Sequence, residues 1–578
     1  MALSSHPLSF AVRLWSPSAS SRSGSTTFSL PMGQPLLLTG YVLLGFATCK
    51  LLYRYYKMCT SPLRHLPGPP RANFWTGYFW DIFTEPFLAP HKRWFNNLQR
   101  PPIFQYTGLL GRYTVVVMDP NIVQQVLTDP SVFAKDKTQI RFPKRYKLLR
   151  EITGEGLVTL EGPDWARHRR ICQPCFQTNA ISQALDARVP ALTKQLIAAW
   201  HRAGPTRVID LASHLSALTL DIIGHVAFAH DFGALQKLHQ WVDASDATNN
   251  NDNDKDNDTT VLDHVTDPLI RYMHESFRIS LTGVVVQVLD IPWAERYLKR
   301  SVWKRRVLLN AATDDIIREA QQNMDMAHRQ SQHKSLLQLL LEARAHAPDS
   351  RNALSDVELR DECKTFILAG HETTSTWCYW ALYALAVYPQ VQDKLLANVG
   401  GPGASQTGDP QVSTTAAGEA TDTLHLKDVL NMDYLGAFME EVLRFYSPVG
   451  MLIRFSAREE EWHGYTIPRN TRIVLPFHML QRHPDYWHTD PEIFAPERWL
   501  DKDTPPYSQS FVHNPFSAGG RNCIGQRFAQ MEAKLIIANL VRAFQIRLAP
   551  GTENDKLEFT SAITVKAKIP LRICVEAR

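Results

Sequence analysis

Cysteine is scarce in this chain of 578 residues, with eight cysteines at irregular spacings. A small secreted scaffold held by disulfides is therefore excluded, because such scaffolds carry many cysteines in a short chain. Acidic residues are absent from residues 1–80, which hold seven of the 62 Lys and Arg. Subtracting those seven leaves 55 basic residues against 57 acidic ones in the rest of the chain. The body therefore lacks the basic excess of a nucleic-acid-binding protein, and we predict no nucleic-acid partner.

The composition is otherwise that of a globular protein. With 44% hydrophobic and 21% charged residues, the chain can bury a sizeable core. Amphipathic helical runs dominate, and strand-like pieces are short, as at 113–118 and 471–476, so we predict a mainly α class with a minor β part. The Asn/Asp-rich stretch 249–260 and the Gly/Ser/Thr-rich stretch 399–422 are predicted to be solvated insertions.

An apolar segment lies near the N-terminus. No charged residue occurs between Ser23 and Cys49, and if Lys50 snorkels, the apolar stretch from Leu36 to Tyr53 is 18 residues long. That length is just enough to cross a bilayer. Basic residues crowd its C-terminal side, namely Lys50, Arg54, Lys57 and Arg64. By the positive-inside rule we predict a single transmembrane helix with the main body of the chain in the cytosol.

The segments around this helix set the predicted domain boundaries. Residues 1–34 hold ten serines, Arg13, Arg22 and no acid, which is also typical of a transit peptide, so a mitochondrial or plastid address is the alternative. A soluble core helix is the alternative for the apolar segment, although a terminal segment has little to pack against. Prolines at 67, 69 and 70 then favour a stiff, extended connection. The predicted organisation is a Ser-rich tail at 1–34, a transmembrane anchor at 35–57, a basic and Pro-rich hinge at 58–72, and a catalytic domain at 73–578.

The strongest chemical signal is the segment FSAGGRNCIGQRFA at 516–529. Cys523 lies in this glycine-rich loop, which opens directly into an apolar helix predicted over 531–544. Glycines let the backbone approach a flat cofactor, and backbone amides at a helix N-terminus stabilise an anionic sulfur. A thiolate held in this way is a good axial ligand for haem iron. Taken alone, Cys523 is instead interpreted as a buried structural cysteine.

The spacing around Cys523 decides between these interpretations. Phe516-x-x-Gly519-x-Arg521-x-Cys523-x-Gly525 resembles the haem-binding signature of cytochrome P-450 monooxygenases at every constrained position. Three further motifs of that family occur in the expected order, so the resemblance extends from the anchor onward. It implies the cytochrome P-450 fold and haem b (iron protoporphyrin IX), with Cys523 as the axial ligand of the iron and a loop, including Phe516 and Gly525, that holds the cofactor.

The second motif is AGHETTS at 369–375, inside an apolar helix predicted over 366–387. Ala369 and Thr373 lie four residues apart and share one helix face, where small residues let a cofactor and O2 approach. The resemblance assigns Thr373 the hydroxyl that hydrogen-bonds the bound oxygen, and Glu372 the acid for proton delivery. The alternative is a surface charge at Glu372 and a Thr373 bonded back to its own helix. Some fatty-acid hydroxylases of the family carry at the position of Ala369 a Glu that esterifies haem, so covalent haem is not expected.

Two further motifs supply charged groups. Glu441 and Arg444 lie three residues apart, and such a pair in isolation is usually a minor surface feature. The resemblance implies that both join Arg498 in a buried triad with a structural role. Trp165 and Arg169 lie four residues apart, which places an indole N–H and a guanidinium on one helix face. The resemblance implies that they contact a haem propionate, which needs such donors.

Other side chains are assigned from their positions along the chain. Arg521, two residues before Cys523, and Arg454, from its place after the helix of Glu441, are further candidates for the propionates. A zinc or redox site at Cys172 and Cys175 is disfavoured, because no second cysteine pair has suitable spacing. The substrate pocket is expected to be lined by Phe366, Ala369, 449–452 and 561–565. Basic residues expected to steer an acidic redox partner are Arg167, Arg169, Arg170, Arg527 and Lys534.

Together these motifs predict a haem-thiolate monooxygenase that inserts one atom of O2 into a lipophilic substrate (a fatty-acid-like lipid, a terpenoid or sterol, or another secondary metabolite). No flavin or nicotinamide fingerprint occurs in the sequence, so electrons must come from a separate protein. The resemblance implies the NADPH–cytochrome P-450 reductase, with NADPH acting indirectly and cytochrome b5 as a second donor, at the endoplasmic reticulum membrane.

A lipid-peroxide isomerase or synthase is one alternative, disfavoured by the presence of Glu372 and Thr373. A non-catalytic haem-binding membrane protein is the other, disfavoured because Thr373 and Arg444 are both retained.

Overall fold

The structure is a computed structural model that describes residues 34–70, 73–129, 149–150, 152–177, 179–247, 292–327, 334–347, 349, 353–400, 423–501, 505–552, 557–561 and 563–578. The predicted tail, apart from residue 34, lies outside the described residues, as do the insertion at 249–260 and nearly all of 399–422. The chain divides into two compact units, Met1–Lys57 and Met58–Arg578.

Helices make up most of the described chain. In chain order they are α1 (Gln34–Thr60), α2 (Phe79–Thr84), α3 (Ala89–Asn97), α4 (Pro120–Thr128), α5 (Gly162–Phe176), α6 (Asn179–Ala203), α7 (Leu211–Ile223), α8 (Ala234–Ala247), α9 (Pro292–Ala327), α10 (Leu336–Ala345), α11 (Asp356–Val387), α12 (Pro389–Asn398), α13 (Leu426–Val429), α14 (Asp433–Phe445), α15 (Phe477–Leu480) and α16 (Gln526–Ala543). A π-helical turn, Gly224–Phe228, continues α7.

Short strands form the smaller β part. They are β1 (Ile103–Gly108), β2 (Arg112–Val117), β3 (Ile209–Asp210), β4 (Leu452–Phe455), β5 (Glu460–Trp462), β6 (Tyr465–Ile467), β7 (Arg472–Leu475), β8 (Phe544–Leu548), β9 (Phe559–Ser561), β10 (Val565–Ala567) and β11 (Arg572–Ala577). One sheet has the order β1-β2-β7-β4 and another β3-β11-β8, while β5 pairs with β6 and β9 with β10. The strand pieces predicted at 113–118 and 471–476 are β2 and β7, which pair in parallel with Val115 opposite Ile473. The mainly α class with a minor β part is confirmed.

The long helix α11 begins at Asp356, earlier than the predicted start at 366. Ser355 caps its N-terminus in a capping box, which satisfies backbone N–H groups of the first turn. The first three turns are rich in charged residues, so apolar periodicity did not reveal them. Some of those charges are buried in pairs, as where Lys364 Nζ lies 2.8 Å from Asp361 Oδ1.

The main apolar core surrounds α7, α11 and α16. Helix α7 packs along α11, and α16 packs against both α6 and α11. Among the described residues, Leu211–Phe228 is the stretch that is long and apolar enough to cross a bilayer, and 89% of it is buried inside the protein. This stretch is therefore part of the core. The packing of α16 on α11 brings the segment after Cys523 close to the helix that carries Thr373.

Candidate active site

The loop that carries Cys523 is closed by its own backbone. The Cys523 amide donates to the carbonyl oxygen of Phe516 at 2.9 Å, and a 3-10 turn, Gly519–Arg521, precedes the cysteine. Gly519 has φ +69°, and a Cβ there would lie 2.3 Å from the carbonyl oxygen of Leu127 in the last turn of α4. The close approach of α4 and the positive φ therefore both require glycine at position 519.

The residue Cys523 is accessible to solvent, yet protein atoms surround its thiol. The residue is exposed by surface area, while the surrounding atoms desolvate the thiol, and this burial raises its pKa. The backbone N–H of Gly525 and the positive charge of Arg169 act in the opposite direction and favour the thiolate. A residue that is accessible while protein atoms surround its thiol lies in a concave part of the protein, which we call the cleft.

Helix α5 brings an indole and a guanidinium to the same loop. Arg169 donates to the carbonyl oxygen of Asn522 at 2.9 Å and to its Oδ1 at 2.7 Å. The Arg521 guanidinium lies 4.4 Å from the centre of the Trp165 ring and donates to the carbonyl oxygen of Leu160 at 2.9 Å. Three of the four predicted propionate donors thus lie together beside the cysteine loop. Arg169 also holds Asn522, the residue just before the cysteine, a contact that the sequence did not predict.

One face of α11 is open in an otherwise buried part of the helix. Ala369 and Thr373 are accessible, whereas the neighbouring residues 366–368 are buried. The Thr373 hydroxyl donates to the carbonyl oxygen of Ala369 at 2.7 Å, so the bond back to its own helix does occur, and the hydroxyl oxygen keeps its capacity to accept a hydrogen bond. One turn further on, the Trp377 ring packs edge-on against Phe516, with centroids 5.9 Å apart. The open face of α11 therefore lies one helical turn from a contact with the cysteine loop.

Glu372 is turned toward the C-terminal hairpin. Its Oε1 accepts a hydrogen bond from the Thr564 hydroxyl at 2.7 Å and lies 3.0 Å from Lys566 Nζ. The Thr376 hydroxyl lies 3.0 Å from that of Thr564, which extends the polar cluster along α11. Because the Glu372 side chain is only 5% exposed, a surface charge at this position is excluded.

These features fit the haem that the motifs imply. The Cys523 thiol offers a sulfur ligand inside a cleft, and the small side chain of Ala369 leaves space on the accessible face of α11. Guanidinium and indole groups are the donors that two carboxylates require, and Trp165, Arg169 and Arg521 supply them around the loop. The donor set is thus suited to a flat, dianionic macrocycle whose iron takes a sulfur ligand.

Glu441, Arg444 and Arg498 meet in the protein interior. Two nitrogens of Arg444 donate to the two carboxylate oxygens of Glu441, each at 2.7 Å, and Arg498 Nε donates to Oε1 at 3.1 Å. The Trp499 indole at 2.9 Å and the Ala495 amide at 2.7 Å complete the shell. Burial alone would raise the pKa of Glu441, but hydrogen bonds and charge from the two arginines outweigh it and hold the pKa below its usual value.

Other residues singled out from the sequence lie in different surroundings. Arg454 is half-buried on β4 and donates to the carbonyl oxygen of the preceding residue at 3.1 Å, so its contact with a propionate stays a prediction. Arg167 is ion-paired with Glu358, so its charge is already engaged within the protein. Arg170 and Arg527 remain exposed members of the predicted basic set.

The two cysteines of α5 show no sign of a reactive site. Cys172 and Cys175 are buried, and burial raises the pKa of both thiols, that of Cys175 to about 11. A buried thiol in apolar surroundings is inert, so these residues are part of the core.

The comparison with protein families identifies the fold. The sequence model described as cytochrome P450 matches residues 67–575. The chain belongs to the cytochrome P450 family. Cytochrome P450 monooxygenase 205 of Postia placenta is 28% identical over 549 residues, which cover 90% of this chain and 92% of that protein. The chain is thus a cytochrome P450 monooxygenase, as the sequence predicts.

Two more distant likenesses agree with this assignment. Cyclooctat-9-en-7-ol 5-monooxygenase of Streptomyces melanosporofaciens is 27% identical, with 75% of this chain and 80% of that protein covered. A crystal structure of the cytochrome P450DA heme domain superposes with a TM-score of 0.67 at 24% identity, over 89% of this chain and 96% of that one. The latter shows that this P450 shares the family's fold.

Two contacts of this P450 site were missed from the sequence. Asn522 links Arg169 to the cysteine loop, and its position next to Cys523 was the available signal. Lys566 pairs with Glu372 from a hairpin near the C-terminus, and no local pattern connects the two. A contact of the second kind emerges only from the tertiary fold.

Proposed function

We propose that this P450 is a membrane-anchored haem-thiolate monooxygenase that hydroxylates a lipophilic substrate with O2 and with electrons from a separate reductase. The observation that carries the proposal is Cys523, an accessible residue whose thiol is surrounded by protein atoms, on a loop in contact with α11. Haem bound there supplies the iron at which O2 is reduced and cleaved, and a thiolate ligand favours that cleavage.

The residues around the cysteine have complementary roles in this proposal. Cys523 would supply the sulfur ligand of the haem iron, and the Gly525 amide and Arg169 would stabilise its thiolate form. Trp165 and Arg521, stacked on each other, hold propionates together with Arg169, because charge-assisted hydrogen bonds to carboxylates are the strong ones. Arg454 is proposed as an additional propionate donor from β4, and Phe516 closes the loop through its carbonyl and fixes it to α11 through its ring.

Proton delivery is assigned to the polar residues of α11. The buried carboxylate of Glu372 would take up a proton and pass it to Thr373 Oγ1, which would give up its own proton at the accessible face of α11. Because Thr373 Oγ1 donates to the Ala369 carbonyl in the present conformation, its hydrogen bond changes partner during this step. The presence of both groups supports oxygen activation over isomerisation.

An apolar substrate is proposed from the residues expected to line the pocket. Phe366 is buried edge-on against Phe176, with ring centroids 5.2 Å apart. A Cβ on Gly450 would lie 2.5 Å from the Phe87 ring and 3.0 Å from Val565, so apolar groups are tightly packed where the 449–452 and 561–565 segments meet. Such a lining suits a fatty-acid-like lipid, a terpenoid or sterol, or another secondary metabolite. The Streptomyces relative, named for cyclooctat-9-en-7-ol, supports this class.

A single-pass anchor in the endoplasmic reticulum membrane is proposed, with the catalytic domain in the cytosol. Helix α1 has 27 residues, which at 1.5 Å rise per residue is long enough to cross a bilayer. Residues 35–57 form the anchor, 58–72 the hinge and 73–578 the catalytic domain, and a mitochondrial or plastid address is the alternative if residues 1–34 are a transit peptide. Large apolar side chains are exposed in both units, namely Tyr41, Leu44, Phe46, Leu52, Trp75, Trp80 and Phe83. Exposed aromatic residues of this kind favour a membrane interface.

The proposed electron donor is the NADPH–cytochrome P-450 reductase, with cytochrome b5 as a second partner. The exposed Arg170 and Arg527 belong to the helices on either side of the cysteine loop. Basic groups there attract an acidic partner and raise its rate of association.

The decisive test is whether oxygen from O2 enters a product. The protein is mixed with the reductase, NADPH, isotopically labelled O2 and lipophilic compounds preselected by the spectral shift that they cause in the haem band. We expect one labelled oxygen atom in the product and a strict dependence on NADPH and reductase. Conversion of a lipid peroxide without NADPH and without label would instead identify an isomerase, and haem binding with neither reaction would identify a non-catalytic protein.

A further inference from the structure

The C-terminal hairpin presents two polar side chains to α11. Strands β9 and β10 pair antiparallel, with Lys566 opposite Thr560. Thr564 lies in the turn just before β10, and Lys566 lies within β10. Both reach one atom, since Glu372 Oε1 accepts from the Thr564 hydroxyl at 2.7 Å and lies 3.0 Å from Lys566 Nζ. The carboxylate is thus held at one oxygen by two groups from the hairpin.

The hairpin is placed by other contacts as well. Trp380 Nε1 donates to the carbonyl oxygen of Val565 at 2.8 Å, and the Val565 amide donates to Pro448 at 2.9 Å. The Phe87 amide donates to the carbonyl oxygen of Phe559 at 2.8 Å. These bonds involve backbone groups and an indole, so they persist when the Lys566 side chain is changed. A Lys566 variant therefore keeps the hairpin in the fold, and any loosening of the hairpin reports the loss of its pair with Glu372.

The two members of the ion pair differ in exposure. The Glu372 side chain is 5% exposed and that of Lys566 is 27% exposed. A buried carboxylate without a cation is costly, whereas a lysine that keeps part of its chain and head in water loses less hydration. Lys566 therefore supports an anion at Glu372 while it connects this interior group with the solvent side of the hairpin.

The acid and the hydroxyl of α11 are held by separate partners. Glu372 is held by the hairpin, whereas the Thr373 hydroxyl donates to the Ala369 carbonyl within the helix. Transfer of a proton between them depends on where the carboxylate is kept, because a general acid acts only within hydrogen-bond reach.

We infer that Lys566 is a positioning residue for Glu372, and that with Thr564 it makes the C-terminal hairpin part of the proton-delivery apparatus. The inference rests on the proposed monooxygenase function and extends it to a residue outside the family motifs. Lys566 acts through Glu372 and does not touch the reacting atoms. Its loss therefore impairs the use of electrons for product formation and leaves substrate binding intact.

The first test compares two lysines of the same hairpin. Lys566→Met removes the buried pair, and Lys568→Met removes the exposed pair of Lys568 with Glu558, which are 2.7 Å apart and 57% and 46% exposed. We expect product per NADPH to fall about tenfold in Lys566→Met, less than for loss of a general acid itself, with a matching rise in hydrogen peroxide. Lys568→Met should match the wild type, and Lys566→Arg should recover most of the coupling. Equal coupling in Lys566→Met and Lys568→Met overturns the inference, as does a higher coupling in Lys566→Met.

The second test needs no turnover. Backbone amide exchange of β9 and β10 is measured for Lys566→Met, Glu372→Gln and the double variant. We expect each single variant to speed exchange about fivefold, and the double variant to exchange no faster than either one, because residues in direct contact are energetically coupled. Additive effects, or no effect, show that the pair does not hold the hairpin to Glu372. If the wild type consumes no O2 with NADPH, the proposed function fails, while this exchange experiment still decides whether the pair exists.

Discussion

Two buried glutamates of this P450 each pair with a basic residue, and they are built differently. Glu441 and its partner Arg444 lie three residues apart on α14, and both side chains are 0% exposed. Glu372 lies on α11, and its partner Lys566 comes from a distant hairpin and is 27% exposed. The first pair is local and closed, and the second is long-range and open to solvent. The closed pair suits a structural role, and the open pair suits a carboxylate that must exchange protons.

The two carboxylates also differ in their hydrogen-bond partners. Glu441 accepts hydrogen bonds from two arginines, the Trp499 indole and the Ala495 amide, which fix both of its oxygens. A carboxylate that accepts this many hydrogen bonds stays ionised near neutral pH. Glu372 Oε1 is held by the Thr564 hydroxyl and the Lys566 ammonium group, which reach it from the hairpin. A carboxylate that is paired with a partly exposed cation suits proton delivery from solvent.

Breaking the closed pair should give the largest effect. Arg444→Met leaves the Glu441 carboxylate buried with one arginine, and it also removes donors to the Gln481 and Pro491 carbonyls. We expect a loss of about 3–5 kcal/mol in the free energy of unfolding, measured by chemical denaturation. Lys394→Met, which breaks the exposed pair of Lys394 with Glu497, should cost less than about 1 kcal/mol. Similar losses in the two variants would show that the triad is not a structural lock.

Breaking the open pair on the acid side should affect chemistry more than stability. Glu372→Gln keeps the shape of the side chain and its acceptor oxygen for Thr564, but cannot take up and pass on a proton. We expect product per NADPH to fall by about 100-fold, the lower end for one general acid, while NADPH oxidation continues and peroxide rises. Normal coupling in this variant, with peroxide at the wild-type level, would contradict the role of Glu372.

The pH dependence of stability gives a smaller effect, which tests the role of the Glu441 carboxylate. Since the folded-state pKa of Glu441 is held below its usual 4.5, its anion stabilises the fold above that value, and the contribution is lost as the pH falls through the folded-state pKa. The free energy of unfolding should therefore fall as the pH drops from about 6 to about 4 and below, and less steeply in Glu441→Gln than in the wild type. Equal slopes would mean that other carboxylates account for the acid sensitivity.

The two glutamates also show what sequence can predict. Glu441 and Arg444 are neighbours on one helix, so their spacing alone brings them together, and the resemblance to the family added Arg498. The assignment of Glu372 came from its motif, but Lys566 did not, since the hairpin reaches α11 only through tertiary packing. Where pairing is local the sequence suffices, and where it joins distant segments the structure is needed.

The same distinction applies to the fold and to the cysteine loop. The apolar part of α11 and the central strands β2 and β7 were predictable from periodicity, whereas the charged first turns of α11 were not, because their burial depends on partners such as Asp361 with Lys364. The motif located the Cys523 loop, but the contact of Arg169 with Asn522 follows from how α5 packs on it.

The account depends most directly on Cys523 as the ligand of haem iron. The measurement is the absorption spectrum of the reduced carbon monoxide complex for the wild type, Cys523→Ala and the control Cys574→Ala, a half-exposed cysteine on β11. We expect the thiolate-type band in the wild type and the control, and its complete loss in Cys523→Ala, because the sulfur ligand sets the electronic character of the iron. A thiolate-type band that persists in Cys523→Ala would contradict the account.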